Sequence, residues 1–223
     1  MASISAGMSW FKKNFAADVT KGLAGTPFSL DLLTAIAVQE TFSDGWGAYF
    51  STMSATDVLK ICVGDSIDAP GRQAFPRNKA DLLAVPHGAE IFAVAHAALL
   101  SNPAYRGFAV AHPDKFAHGY GIFQYDIQFC KEDPDFFLKQ QWTDFSLCLA
   151  RAVKELKVAL VHTYGAAKTT LTHDEMVYVA IAYNAGHVNI KGDFKQGFKD
   201  SDGNYYGEMI DHYLGLAVGV AVS

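Results

Sequence analysis

Glu40 stands in the stretch AIAVQETFSDGW, residues 35 to 46, where the apolar pattern calls for another hydrophobe. On a helix, Leu33, Ile36, Ala37 and Glu40 fall at i, i+3, i+4 and i+7, a single stripe that faces a core. A carboxyl group there loses hydration in its charged form, so its pKa rises and it keeps a proton that an exposed Glu would release. That is the property a general acid needs. The competing reading is structural: a helix that ends near Thr41 would let Glu40 reach water or pair with a cation. A second segment with chemical content is HGYGIFQYD, residues 118 to 126, where Gly119 and Gly121 flank an aromatic and the uncharged amide of Gln124 follows two apolar residues. Glycines let a backbone approach a ligand closely, and a carboxamide bonds to sugar hydroxyls or amides; an ordinary turn would carry the same residues. The third segment is AYNAG, residues 182 to 186. Tyr183 offers an aromatic face with a hydroxyl and Asn184 a neutral amide, although singly they also describe a core aromatic and a helix-ending residue.

The elements that must position these groups are mostly helical. Ser29 is placed to cap a helix whose apolar residues Leu32, Leu33, Ile36, Ala37 and Phe42 keep the 3,4 spacing of a buried face, with Gly45 and Gly47 to end it. Residues 87 to 101 read as a strongly apolar helix stopped before Pro103, and 142 to 164 as a longer amphipathic one ending at Gly165. Thr172 and Glu175 make a capping box that opens MVYVAIAYNAG, and Gly186 closes that helix. A last helix is expected over 204 to 218. Strand signals are weak: 43 to 86 and 187 to 203 are turn-rich and leave room for one small hairpin. No repeat or linker divides the chain, so a single, mainly α domain is expected over 1–223.

Taken together and in order, the three segments resemble the goose-type lysozyme and soluble lytic transglycosylase superfamily, glycoside hydrolase family 23. AIAVQET is similar to the family's A-I-x-x-E-S segment, GYGIFQ to G-x-G-L-M-Q, and AYNAG matches A-Y-N-A-G. YYGEMIDHYL is similar to the family's final helix, which makes Tyr213 or Tyr205 a candidate cleft aromatic. The resemblance covers residues 30 to 46, 112 to 130 and 142 to 216. It implies a lysozyme-like α+β fold with a helical core, in which 47–111 is an inserted segment, because Glu40 and Gln124 stand 84 positions apart where the family spaces them by a few tens. Thr41 replaces the family's Ser and keeps the hydroxyl; Ile122 and Phe123 replace Leu-Met and keep the apolar character.

The chemistry that the resemblance implies is cleavage of the β-1,4 bond between MurNAc and GlcNAc in peptidoglycan, with Glu40 protonating the glycosidic oxygen. Thr41, Gly121, Gln124, Tyr183, Asn184 and Tyr213 are then the expected substrate-binding residues. An inverting hydrolase needs a second carboxylate roughly 6.5–9.5 Å from the acid. Asp126, two residues after Gln124, occupies the place of such an Asp in goose-type lysozymes; Asp114 aligns with a second one, one residue out of register, and Asp44 follows Glu40 by one helical turn. Hydrolysis through Asp126 or Asp114 is the expected route. A lytic transglycosylase needs no second carboxylate, because the sugar's own 6-hydroxyl attacks and leaves a 1,6-anhydro end. A chitinase of the same superfamily and an inactive glycan-binding module are the alternatives, with an interaction protein that merely mimics the motifs as a third.

Composition narrows the partners. Half of the 223 residues are hydrophobic, 18% are charged and the formal net charge is -5, enough to bury a core and contrary to a broad grip on nucleic acid. The run LGLAVGVAVS is shorter than the roughly 20 residues of a membrane span and reads as a buried or frayed terminal helix, so no membrane partner is expected. Cys62, Cys130 and Cys148 lack metal spacing and read as reduced core thiols. His87 with His96, or His112 with His118, make no credible zinc pair, so no metal or cofactor is expected. MASISAGMSWFKKNF lacks the features of a signal peptide. The expectation is synthesis in the cytoplasm and action at the cell wall or periplasm after release or dedicated export, on peptidoglycan or another polymer of N-acetylated aminosugars, with an inhibitor or immunity protein left open.

Overall fold

The computed structural model describes residues 3–43, 45–66 and 73–222. In chain order, the helices of its first half are α1 (Ile4–Gly22), α2 (Leu30–Thr41), α3 (Ala55–Ile61), α4 (Lys79–Leu83), α5 (Gly88–Ser101) and α6 (Arg106–Ala111). The second half holds α7 (Pro134–Leu138), α8 (Phe145–Tyr164), α9 (His173–Ala185) and α10 (Tyr206–Val218). The strands are β1 (Val63–Ser66), β2 (Ala117–Tyr120) and β3 (Tyr125–Asp126), and short 3-10 turns cover Trp46–Ala48, Ile127–Lys131 and Gln141–Thr143. The protein is mainly helical with a small antiparallel sheet of three strands in the order β1-β2-β3. The chain divides into two compact units, the first made of Met1–Glu40 with Leu149–Ser223 and the second of Thr41–Cys148.

The first unit is built from helices whose ends are set by local chemistry. Ser29 Oγ accepts the backbone N–H of Leu32 at 3.1 Å, the cap expected from the sequence. From Leu32 to Val38 every residue of α2 is buried, the pattern of a helix surrounded on all sides. The capping box of α9 forms as read: Thr172 Oγ1 accepts from Glu175 N–H and Glu175 Oε2 accepts from Thr172 N–H, while Gly186, at φ 76°, ends the helix in the left-handed conformation that favours glycine. Beyond α2 and α9, α1 buries Met8, Phe11, Phe15 and Val19 on one face, and α9 packs on α10. Lys12, on α1, ties α2 to the end of α10. It is buried, pairs with Asp31 at 2.6 Å and donates to the carbonyls of Ala217 and Val220 at the end of α10. A cation there satisfies carbonyls that a helix leaves without partners and complements the negative end of its dipole.

In the second unit the sheet forms where the sequence showed a glycine-rich turn. β2 and β3 are the two arms of HGYGIFQYD, and β1 adds alongside with Val63 opposite Tyr120 and Gly64 opposite Gly119. The segment 47–111 lies inside this unit and contributes β1 and four of its helices. Its strand pairs with residues after 111, so the compact unit runs on to Cys148. Asn102, buried at the end of α5, donates to the carbonyls of Ile61 and Val63 and so holds the α3-to-β1 connection. Tyr120, Tyr125, Phe136, Phe137 and Trp142 form an aromatic cluster with ring centroids 4.9 to 6.5 Å apart.

Other boundaries differ from the sequence reading for identifiable reasons. The helix expected from 142 starts at Phe145, because Asp144 Oδ1 accepts from Leu147 N–H and caps it there. The helix expected from 204 starts at Tyr206. In 187–203 the expected hairpin is reduced to one bridge between Lys199 and Tyr205. Cys62, Cys130 and Cys148 are buried free thiols, and burial pushes Cys62 far above the usual thiol range and Cys130 up to about 11. No described helix is long and apolar enough to cross a membrane.

Candidate functional site

Three of the residues singled out by sequence gather in the first unit, joined by one that was not. Glu40 ends the unit's share of α2, and Tyr183 and Asn184 lie in the last turn of α9. Tyr206, the first residue of α10, donates its hydroxyl to Glu40 Oε1 at 2.7 Å. Glu40 is half-buried. Burial lifts its carboxyl from the ordinary 4.5 to about 7, against the opposing pull of the Tyr206 hydrogen bond, which favours the charged form. The side chain is thus dry enough to hold a proton near neutrality and open enough to deliver it. With Oε1 taken by Tyr206, Oε2 carries that proton. Burial, Glu40 and the neighbouring Tyr183 hold the Tyr206 phenol well above its ordinary value, so it remains a donor wherever the site would work.

The placement of Tyr206 follows from two glycines. Gly207 lies so close to α9 that a Cβ there would meet Phe194 O at 2.4 Å and Ile181 at 2.6 Å, so glycine lets the start of α10 approach. Gly197, at φ +84°, sits between the two site residues: its Cβ would meet Tyr206 Cβ at 2.9 Å and Asn184 Oδ1 at 3.1 Å. Around it the loop is stitched down. Asn184 Oδ1 accepts from Phe198 N–H at 3.0 Å, Tyr206 N–H donates to Phe198 O at 2.8 Å, and Gly207 N–H donates to Gln196 O at 3.1 Å. Sequence reasoning offered Tyr213 or Tyr205 in place of Tyr206. Tyr213 is buried in α10, and burial raises its phenol, with Asp200 adding to the shift. Tyr205 precedes the helix, and its N–H donates to Glu208 Oε2 at 3.3 Å. The signal for Tyr206 was that Glu208, which as a helix-start residue at N3 fixes Tyr205 as the cap and Tyr206 as the first helical side chain.

The remaining sequence candidates belong to the second unit and are held within it. Thr41 is buried; its hydroxyl donates to Ile122 O at 3.1 Å and accepts from Trp46 Nε1 at 3.0 Å. Gly121 has φ +81°, and a Cβ there would meet Cys148 Sγ at 2.5 Å, a packing role in place of the expected ligand approach. Gln124, itself at φ 52°, lies across the paired glycines Gly64 and Gly119: a Cβ on either would meet its Oε1, at 2.7 and 2.1 Å. Its Nε2 donates to Gly121 O at 2.8 Å. Asp126 accepts from the backbone of Gln128 at 2.7 Å and faces His118 Nδ1 at 3.0 Å, while His118 Nε2 donates to Pro76 O at 3.1 Å. Asp114 is exposed beside Lys115 at 3.3 Å. Asp44 lies outside the described residues. Among the described residues no group of three His, Cys, Asp or Glu side chains is arranged to hold a metal ion.

No known protein family, curated protein or solved structure matches the chain.

Proposed function

We propose that the protein cleaves peptidoglycan at the β-1,4 bond between MurNAc and GlcNAc, as a muramidase of the lysozyme type with Glu40 as general acid. The observation that carries this reading is the Glu40–Tyr206 pair: a half-buried carboxyl pushed up to about 7, with one oxygen fixed by a phenol at 2.7 Å. Departure of a sugar oxygen as an alkoxide is slow, and a positioned acid of near-neutral pKa supplies the proton as the bond breaks. Tyr206 orients Glu40, and Tyr183 and Asn184, in the last turn of α9, are the sugar-binding groups. In this reading α2, α9 and α10 form the helical core of a lysozyme-like fold related to glycoside hydrolase family 23.

A transglycosylating version is favoured by one specific observation. Within the first unit no second described carboxylate acts on Glu40, whose pKa is set by burial and by Tyr206. Hydrolysis would need a carboxylate to activate water, and Asp126 and Asp114 are paired with His118 and Lys115. Attack by the sugar's own 6-hydroxyl requires none. Mass spectrometry of the soluble fragments released from purified peptidoglycan by the protein, and by its Glu40→Gln variant, tests both versions. Fragments from the unaltered protein alone support the reading; 1,6-anhydro ends make it a transglycosylase, and reducing ends make it a hydrolase. Cleavage of chitin oligomers in preference to peptidoglycan would redirect it to a chitinase. No fragments, or equal release by the variant, would overturn it.

A further inference from the structure

The loop between α9 and α10 exposes an apolar ring on a residue whose backbone is bonded to Tyr206. Phe198 is 67% exposed. The other exposed phenylalanine, Phe108, is 36% exposed and lies against His112 with centroids 4.6 Å apart; among the described residues no ring lies against Phe198. Single exposed hydrophobes are ordinary on protein surfaces. What sets Phe198 apart is that both of its backbone polar groups are bonded to site residues, its N–H to Asn184 Oδ1 at 3.0 Å and its carbonyl to Tyr206 N–H at 2.8 Å. Gly197 before it is wedged between the same two residues, and Lys199 after it bridges to Tyr205. The ring is therefore presented from a fixed backbone, which lowers the ordering cost of binding.

Asn184 adds direction. Because Oδ1 accepts from Phe198, its carboxamide is oriented with Nδ2 turned away from that bond, and the residue is exposed. An exposed apolar ring and an exposed carboxamide thus belong to two residues bonded to each other, and Phe198 is bonded in turn to Tyr206, whose hydroxyl reaches Glu40. A pyranose has the matching surface: two faces of C–H groups and a rim of hydroxyls, with an acetamide in the aminosugars.

Building on the proposed function, we propose that Phe198 is a glycan-stacking residue, taking the C–H face of an N-acetylated aminosugar next to the bond being cleaved while Asn184 Nδ2 donates to that sugar's acetamide or hydroxyl. Stacking removes apolar area from water on both partners and leaves the hydroxyl rim wet. Calorimetric titration with chitotetraose, in a Glu40→Gln background that blocks turnover, tests this directly. Phe198→Ala is expected to weaken binding by about tenfold, Phe198→Leu to stay weak, and Phe198→Trp to restore or exceed the parent's affinity. The exposed position predicts an unchanged Tm for all of them. Equal affinity in Phe198→Ala and its parent, or no binding by any variant, would overturn the proposal. Peptidoglycan digestion by the unaltered protein separates it from the enzymatic reading. Cleavage together with unchanged chitotetraose affinity in Phe198→Ala sinks Phe198 alone. Loss of affinity without any cleavage leaves Phe198 standing and sinks the enzymatic reading.

Discussion

Replacing Glu40 with Gln removes one ionisation while keeping the shape of the side chain and an oxygen for Tyr206, so it turns the burial of that carboxyl into a measurable difference in stability. In the folded protein the carboxyl titrates at about 7, against an ordinary 4.5. Below the lower value both folded and unfolded chains carry the proton, and the two proteins should be nearly equal in stability. As pH rises, the unfolded chain releases its proton first. The unaltered protein then loses stability relative to the variant until pH passes the folded value, above which the difference stays constant. Each pH unit in this window is worth about 1.4 kcal/mol. The span from 4.5 to about 7 therefore gives about 3–4 kcal/mol as an upper bound, reduced to about 2 kcal/mol by the solvent that reaches a half-buried group. Urea unfolding followed by tryptophan fluorescence, run on both proteins at a series of pH values, reads the difference with other titrating groups cancelled. A difference that stays flat across the window would refute the burial of Glu40. A parent that gains on the variant as pH rises would mean that a cation holds Glu40 as a carboxylate.

Tyr206→Phe removes the hydrogen bond that pulls the Glu40 carboxyl down, so its midpoint should move above about 7, as read by NMR titration of that carboxyl; loss of the bond should cost about 1 kcal/mol in urea unfolding. Gly197→Ala puts a Cβ 2.9 Å from Tyr206 Cβ at φ +84° and should destabilise by about 1–3 kcal/mol in the same assay. Lys12→Met takes the ammonium from Asp31 and one donor from each of the carbonyls of Ala217 and Val220, Ala217 keeping the N–H of Val220. It should cost about 3 kcal/mol, with faster amide exchange in the last turn of α10.

What was legible in the sequence was local. The Ser29 cap, the Thr172–Glu175 capping box and the Gly186 stop are decided within a few residues, so α2 and the core of α9 were placed from spacing alone. The stripe carrying Glu40 was legible for the same reason. What escaped depended on distant partners. β2 and β3 looked like a turn because their third strand, β1, comes from residues 63–66. The burial of Lys12 had no local signal, because the carbonyls that accept from it lie 205 and 208 positions away. The bond that holds the Thr41 hydroxyl had no local signal, because the carbonyl that accepts it belongs to Ile122, 81 positions on. Tyr206 was displaced by its neighbours since a shift of one residue in a helix start turns a different side chain toward Glu40.

The pH dependence of fragment release from purified peptidoglycan tests the central claim most directly, because only the protonated form of Glu40 can act as the acid. The rate is expected to fall as pH rises through about 7, with no release by Glu40→Gln at any pH. A rate that keeps rising well above that value, or a Glu40→Gln variant that releases the same fragments, would contradict it.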